Sequence, residues 1–139
     1  MKKKPIDLID DICELHSNFG VYKALVQLDK AKGLEFLKFR FACIQEEVTE
    51  GVEAIENKDP EEVVDALIDI MVFTLGTLDA FNVDIIGAWR EVHKANMAKK
   101  LGIKEGRPNP FGLPDLMKPE GWVAPSHEGN HGCLPTILA

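Results

Sequence analysis

The chain has few cysteines, and they are not arranged as a structural framework. Cys13, Cys43 and Cys133 are odd in number, and no two of them have the CxxC spacing. This argues against a disulfide scaffold and against a cysteine zinc site. Reduced thiols in a cytoplasmic protein are the expectation.

The sequence also lacks a long apolar run and an excess of basic residues. The basic start MKKKP is followed by IDLIDDICE, and no window is apolar over a membrane-spanning length. Sixteen Lys and Arg stand against 23 Asp and Glu, which gives a formal net charge of −7. Nucleic acids and anionic membranes both attract a basic face, so neither is expected as a partner.

No segment alternates polar and apolar residues as a strand does, and the apolar residues instead recur at helical spacing. The prediction is one all-α domain of four to five helices. Prolines and glycines are frequent after Gly102 and predict an arm without helices. We expect residues 1–125 to form the domain with its arm and residues 126–139 to be a flexible tail. The predicted helices cover residues 6–19, 21–30, 34–56, 60–81 and 84–101.

The turn before the fourth helix has a strong start signal. Asp59 is placed as the N-cap, Pro60 as the first helical residue, and Glu61 and Glu62 lie in the first turn, where they suit the helix dipole. A turn this short makes the third and fourth helices an antiparallel hairpin.

Negative charge is concentrated in this hairpin. Ten acidic residues and one basic residue lie between Glu46 and Asp69. Carboxylates on two facing helices form an all-oxygen environment of the kind that Mg²⁺ or Mn²⁺ prefers. A solvated helix face is the alternative for the EExxE pattern taken alone.

The fourth helix is apolar around nearly its whole circumference, which predicts burial within an oligomer. Asp65 and Asp69 lie inside this helix and are therefore predicted to be buried. A buried carboxylate requires a proton, a salt bridge or a metal ion. The helix has no basic residue that could serve as its own partner, so a metal ion is favoured.

Four motifs follow one another in an order that resembles a known family. They read RFACIQEEVTEGVEAIE, EEVVDALIDIMVFTLGTLDAFNVD, WREVHKANMAKK and LMKPEGWVAP. Together they resemble the MazG-like all-α nucleoside triphosphate pyrophosphohydrolases, in the phage and bacterial branch grouped with phosphoribosyl-ATP pyrophosphohydrolase. The resemblance implies hydrolysis of a nucleoside triphosphate to the monophosphate and pyrophosphate, with two or three Mg²⁺ ions that Mn²⁺ can replace. It also implies a homodimer or homotetramer, in the host cytoplasm if a phage encodes it.

The resemblance assigns the carboxylates. Glu47 and Glu50 become metal ligands, and Glu46 becomes a further ligand or the base that orients water, so that Glu46 and Glu47 are the catalytic candidates. Asp69 closes the site.

The second family motif, ExxD, is not matched at Asp69, because Ala66 lies three residues before it. Either Asp65 replaces the glutamate, or Glu62 with Asp65 is the ExxD pair and Asp69 is an additional ligand. We favour Asp65 with Asp69.

The remaining assignments concern the substrate. The resemblance places Asn96 and Lys99 of ANMAK at the phosphates, and places His16 with Asn18 at the wall of the base pocket. Lys118 of KPEGW lies in an arm near the active site. Each assignment has a structural alternative. Lys99 could complement the C-terminus of its helix, His16 could be a structural histidine, and the KPEGW segment with Lys118 could be a hydrophobic anchor for the arm.

The motifs do not indicate which nucleobase the substrate carries. General likeness to the phage branch favours (d)GTP, and dUTP, dCTP or phosphoribosyl-ATP are the enzymatic alternatives. A different class of function is an acidic helical module that binds a basic partner without catalysis.

Overall fold

The computed structural model describes residues 2–106 and 111–139. The described chain is mostly helical, which confirms the all-α prediction apart from one very small sheet. Its elements in chain order are α1 Leu8–Asn18, α2 Val21–Leu25, α3 Lys30–Glu56, α4 Pro60–Ala80, α5 Ile85–Met97, β1 Lys100–Gly102, β2 Asp115–Met117 and α6 Leu134–Leu138.

Side-chain caps explain where the two longest helices begin. The carboxylate of Asp59 accepts a hydrogen bond from the Glu62 amide at 3.2 Å, and Pro60 is the first residue of α4, as predicted. The start of α3 is earlier than predicted because Asp29 is its N-cap, accepting from the Lys32 amide at 2.9 Å. The gap between the predicted helices over 21–30 and 34–56 is therefore part of α3.

The chain divides into two compact units. Unit 1 contains Met1–Asp84 and His131–Ala139, and unit 2 contains Ile85–Asn130. Unit 1 holds the hairpin of α3 and α4, with α1, α2 and α6 packed around it. Across residues 2–106 and 111–139, no helix is both long and apolar enough to span a membrane.

Small residues form the contact between α3 and α4. A Cβ atom at Gly51 would lie 3.3 Å from the Cβ of Ala66, so the two helices approach closely there. The buried positions of α3 include Cys43 and Ala54, whereas several apolar residues of the same helix are exposed in the single chain. They are Val48, Val52 and Ile55.

The end of the chain folds back on unit 1. The helix α6 packs on α3, in a stretch where prolines and glycines predicted no helix. The Cys133 amide donates to the Phe81 carbonyl oxygen at 2.9 Å, just beyond the end of α4. Whether residues 126–139 are flexible stays a prediction.

Gly132 allows this docking, because a Cβ atom there would lie 2.1 Å from the Phe81 oxygen. We expect Gly132→Ala to destabilise the protein by about 1 to 3 kcal/mol more than Gly129→Ala does. Both glycines have positive φ, +59° and +80°, but a Cβ atom at Gly129 meets nothing within 4 Å. The two substitutions therefore share the cost of placing alanine at a positive φ, and only Gly132→Ala adds a steric clash. Thermal melting of the two variants measures the difference, and equal melting temperatures would contradict the observed docking.

Unit 2 begins with α5 and continues into a small antiparallel sheet. Lys100 pairs with Met117, and Gly102 pairs with Asp115. Asp115 is buried, and its carboxylate accepts a hydrogen bond from the Lys104 amide at 2.9 Å. Strands of three residues are too short to show the alternation by which a strand is recognised in a sequence.

Candidate functional site

The antiparallel hairpin brings acidic residues of α3 and α4 to one level. Glu47 lies about one turn before Gly51 in α3, and Asp69 lies about one turn after Ala66 in α4. Since Gly51 and Ala66 meet, Glu47 and Asp69 lie beside each other across the hairpin.

Glu47 is the centre of this arrangement. It is partly buried, whereas Glu46, Glu50 and Asp69 are exposed. Loss of hydration is the largest cause that raises the pKa of Glu47, and the negative charges of Glu50, Asp69 and Glu46 raise this pKa further. We call these residues the four-carboxylate cluster: Glu46, Glu47, Glu50 and Asp69.

Asp65 and Asp69 are both exposed in the single chain, so their predicted burial within an oligomer stays a prediction. They are exposed because α4 contacts its neighbours along a narrow line of small residues, of which Ala66 and Gly76 are buried. Its remaining apolar surface is open, so carboxylates on that surface keep contact with solvent. The exposed apolar residues of α4 are Val64, Leu67, Ile68 and Met71.

Of the three acidic residues proposed for α4, Asp69 alone contributes to the raised pKa of Glu47. Glu62 and Asp65 are exposed and lie nearer to the start of the helix. Electrostatic proximity therefore favours Asp69 as the partner of Glu47. The roles of Asp65 and Glu62 stay predictions.

The donor chemistry of the cluster suits a hard divalent cation. The neighbouring carboxylate of Glu50 contributes to the raised pKa of Glu47, which favours a proton on Glu47 when no cation is bound. A divalent cation can compensate the same negative charge in place of that proton. Among the described residues, no group of three or more His, Cys, Asp or Glu side chains is already arranged to hold a metal ion.

The raised pKa of Glu47 predicts how stability depends on pH. The folded state favours the protonated form of Glu47. The stabilisation that this proton provides is complete below the pKa of the unfolded chain, near 4.5. It is lost as the pH rises through the higher pKa of the folded state. Without metal, we expect the melting temperature to fall over that pH window. We expect Mg²⁺ to bind the deprotonated cluster and so to reverse the fall.

Melting curves from pH 4 to pH 8, with and without Mg²⁺, measure this effect. Glu47→Gln is the control, because it removes the titrating group and should flatten the metal-free profile over the window. A Glu47→Gln profile that matches that of the unchanged protein would contradict the assignment.

A second polar cluster, which the sequence did not predict, is centred on Asp79 of α4. Its Oδ2 atom accepts hydrogen bonds from His16 Nδ1 at 2.6 Å and from Tyr22 Oη at 2.8 Å. The thiol of Cys13 lies 3.6 Å from Oδ1. Loss of hydration raises the pKa of Tyr22, and its contacts with Cys13 and Asp79 raise it further. We call Cys13, His16, Tyr22 and Asp79 the Asp79 cluster.

His16 is thus buried, with 3% of its side chain exposed, and it joins α1 to α4. Its Nε2 atom would lie 3.2 Å from a Cβ atom at Gly76, so the glycine makes room for the ring. Asn18 is exposed at the last residue of α1. The assignment of His16 and Asn18 to the base pocket stays a prediction.

Arg40 is a further charged residue that the sequence analysis did not single out. Its guanidinium carbon lies 5.0 Å from the ring centre of Phe36 and 5.7 Å from that of Phe73. Burial lowers the pKa of Arg40, and nearby Cys43 raises it in part. Two aromatic ring faces stabilise the guanidinium at this half-buried position.

The predicted phosphate-binding residues lie together in unit 2. Lys99 Nζ donates a hydrogen bond to Asn96 Oδ1 at 3.0 Å. The ammonium nitrogens of Lys99 and Lys118 lie 5.6 Å and 4.9 Å from the ring centre of Trp122. The Trp122 indole N–H donates to the Ala95 carbonyl at 2.8 Å, which holds the KPEGW arm against α5. Trp122 also lines a cavity of about 370 Å³.

Comparison with known proteins identifies the domain. A family model described as phosphoribosyl-ATP pyrophosphohydrolase matches residues 22–96, which is more than half of the chain. The matched region contains the four-carboxylate cluster, Asp79 and Asn96. A search of curated proteins found no match. The chain belongs to the phosphoribosyl-ATP pyrophosphohydrolase family, within the MazG-like superfamily of pyrophosphohydrolases.

Proposed function

We propose that this protein is a Mg²⁺-dependent nucleoside triphosphate diphosphatase. It converts a nucleoside or deoxynucleoside triphosphate to the monophosphate and pyrophosphate, with two or three Mg²⁺ ions in the site and Mn²⁺ as a possible substitute. The observation that carries the proposal is the proximity of the Glu46, Glu47, Glu50 and Asp69 carboxylates in the α3–α4 hairpin, inside the region that the family model matches.

The chain's own residues have distinct roles in this proposal. Glu47, Glu50 and Asp69 would hold the metal, Asp65 would complete the set from the preceding turn of α4, and Glu46 would accept the proton of the attacking water. Bound Mg²⁺ would supply charge neutralisation and lower the pKa of water. The water oxygen forms a bond with the α-phosphorus, and the bond from that phosphorus to the oxygen bridging to the β-phosphate breaks. Pyrophosphate leaves with that oxygen.

A nucleotide panel tests the proposal. The purified protein is incubated with Mg²⁺ and each of dGTP, GTP, dUTP, dCTP and phosphoribosyl-ATP, and the products are separated and quantified. We expect pyrophosphate and a monophosphate, with (d)GTP hydrolysed fastest. Release of orthophosphate, or no turnover of any nucleotide, would refute the proposed reaction.

We also propose a homodimer or homotetramer. The support is the apolar surface that remains exposed on the hairpin, where Val52 is 52% and Leu67 is 60% exposed. Exposed apolar surface of this extent on two adjacent helices is typical of an interaction site. Light scattering at micromolar concentration tests the assembly, and a monomeric mass would contradict it.

A further inference from the structure

Lys99 and Lys118 come from different parts of unit 2, and both place their ammonium groups at one indole ring. Lys99 follows α5, whereas Lys118 follows β2. Their nitrogens lie 5.6 Å and 4.9 Å from the ring centre of Trp122. We propose that Trp122 is a positioning residue that assembles Lys99 and Lys118 into a clamp for a polyphosphate anion.

The charges around the ring support an anionic ligand. Within residues 2–106 and 111–139, neither Lys99 nor Lys118 is within ion-pair distance of a carboxylate. The distances of the two ammonium nitrogens from the ring centre limit their separation to roughly 10 Å, so their positive charges repel each other. A ligand with several negative charges neutralises both of them and converts this repulsion into attraction.

The ring is held in place before any ligand arrives. The Trp122 indole N–H donates to the Ala95 carbonyl, and Ala95 is buried in α5. Lys99 has a second restraint, since its ammonium group donates to Asn96. The rotamer freedom of these side chains is therefore reduced in advance, which lowers the entropic cost of binding. Trp122 contributes through the two lysines and does not itself touch the reacting atoms.

The ligand class follows from this geometry. The clamp would take a chain of phosphate groups, either as inorganic polyphosphate or as the triphosphate of a nucleotide. Naming the nucleotide triphosphate as the natural ligand rests on the proposed function, whereas affinity for the phosphate chain itself does not.

Calorimetric titration with inorganic tripolyphosphate in the absence of Mg²⁺ tests the clamp on the full chain. Each of Lys99→Met and Lys118→Met should weaken binding about tenfold, because each removes one charge-assisted contact. Trp122→Leu should weaken it roughly fivefold to tenfold, because the two cation–π contacts that position the lysines are lost. Trp122→Phe keeps an aromatic ring and should recover most of the affinity.

Two controls separate positioning from simple damage to the fold. Trp89→Leu removes the other tryptophan, which is 72% exposed on α5, and should leave tripolyphosphate affinity unchanged. In a chain that already carries Lys99→Met and Lys118→Met, Trp122→Leu should have little further effect on affinity. Melting curves identify any variant that has lost its fold.

The outcomes discriminate between the clamp and the enzyme. Equal affinity of the Trp122→Leu variant and the unchanged protein would overturn the clamp, even if nucleotides are hydrolysed. Equal loss in Trp122→Phe and Trp122→Leu would also overturn it, because an aromatic ring face at this position would then contribute nothing to the placing of the two lysines. Tripolyphosphate binding with the expected pattern, in a protein that hydrolyses no nucleotide, would support the clamp and refute the proposed function.

Discussion

Glu47→Gln should lower kcat for the proposed nucleoside triphosphate hydrolysis about a thousandfold, because it removes the central charge of the proposed carboxylate metal site. Glutamine keeps the size of the side chain and one oxygen atom, but it cannot carry the negative charge that a divalent cation requires. The same variant should melt at a higher temperature without metal, since the repulsion from Glu50, Asp69 and Glu46 is relieved. Steady-state kinetics with Mg²⁺ and metal-free melting curves measure the two effects.

Glu53→Gln is the matched control for this prediction, because Glu53 is an exposed glutamate on the same helix and outside the four-carboxylate cluster. It should retain nearly full activity. Comparing Asp69→Asn with Asp65→Asn then separates the two candidate ligands on α4. Full activity of Glu47→Gln would refute the assignment of this cluster as the active site.

Asp79→Ala should destabilise the folded protein by about 3 kcal/mol, since it leaves three hydrogen-bond donors without their acceptor. The donors are the imidazole of His16, the hydroxyl of Tyr22 and the thiol of Cys13. The side chain of Asp79 is only 15% exposed, so water can replace it only in part. For a chain of this length, such a loss lowers the melting temperature by roughly 10 °C.

Asp79→Asn is the conservative variant for this prediction, and Glu14→Ala is its surface control. Asparagine keeps one acceptor oxygen, so its cost should lie between that of alanine and zero. Glu14 is exposed on the same helix as His16, and its replacement should change the melting temperature little. A melting temperature of Asp79→Ala equal to that of Glu14→Ala would contradict the central role of Asp79.

The hairpin of unit 1 could be predicted because its signals are local. Asp59 and Pro60 mark the start of α4 within a few residues, and the structure confirms both. The short turn then dictates that α3 and α4 are antiparallel, which brings Glu47 to Asp69. Caps and turns depend on neighbouring residues alone, so one sequence is sufficient to read them.

The burial of the acidic residues could not be predicted in the same way. The apolar residues around Asp69 predicted its burial on α4, and no burial was predicted for Glu47 on α3. The single chain shows the reverse, with Glu47 partly buried and Asp69 exposed. The line of contact between the helices follows the small residues Gly51 and Ala66, and hydrophobicity alone does not indicate where two backbones can approach most closely.

The Asp79 cluster was missed because its members are far apart in the sequence. Helical spacing places Cys13 and His16 on one face of α1, but it does not indicate which helix covers that face. One signal was available: Asp79 lies near the C-terminal end of α4, where a negative charge is unfavourable to the helix dipole. A carboxylate in that position needs donors from elsewhere in the chain.

The close approach of Gly51 and Ala66 restricts which residues can occupy these two positions. A methyl group added at Gly51 would lie 3.3 Å from the Ala66 methyl group, so the two helices would have to shift apart by a few tenths of an ångström. Larger side chains at either position would require a larger shift. Divergence at these two positions should therefore be limited to small residues.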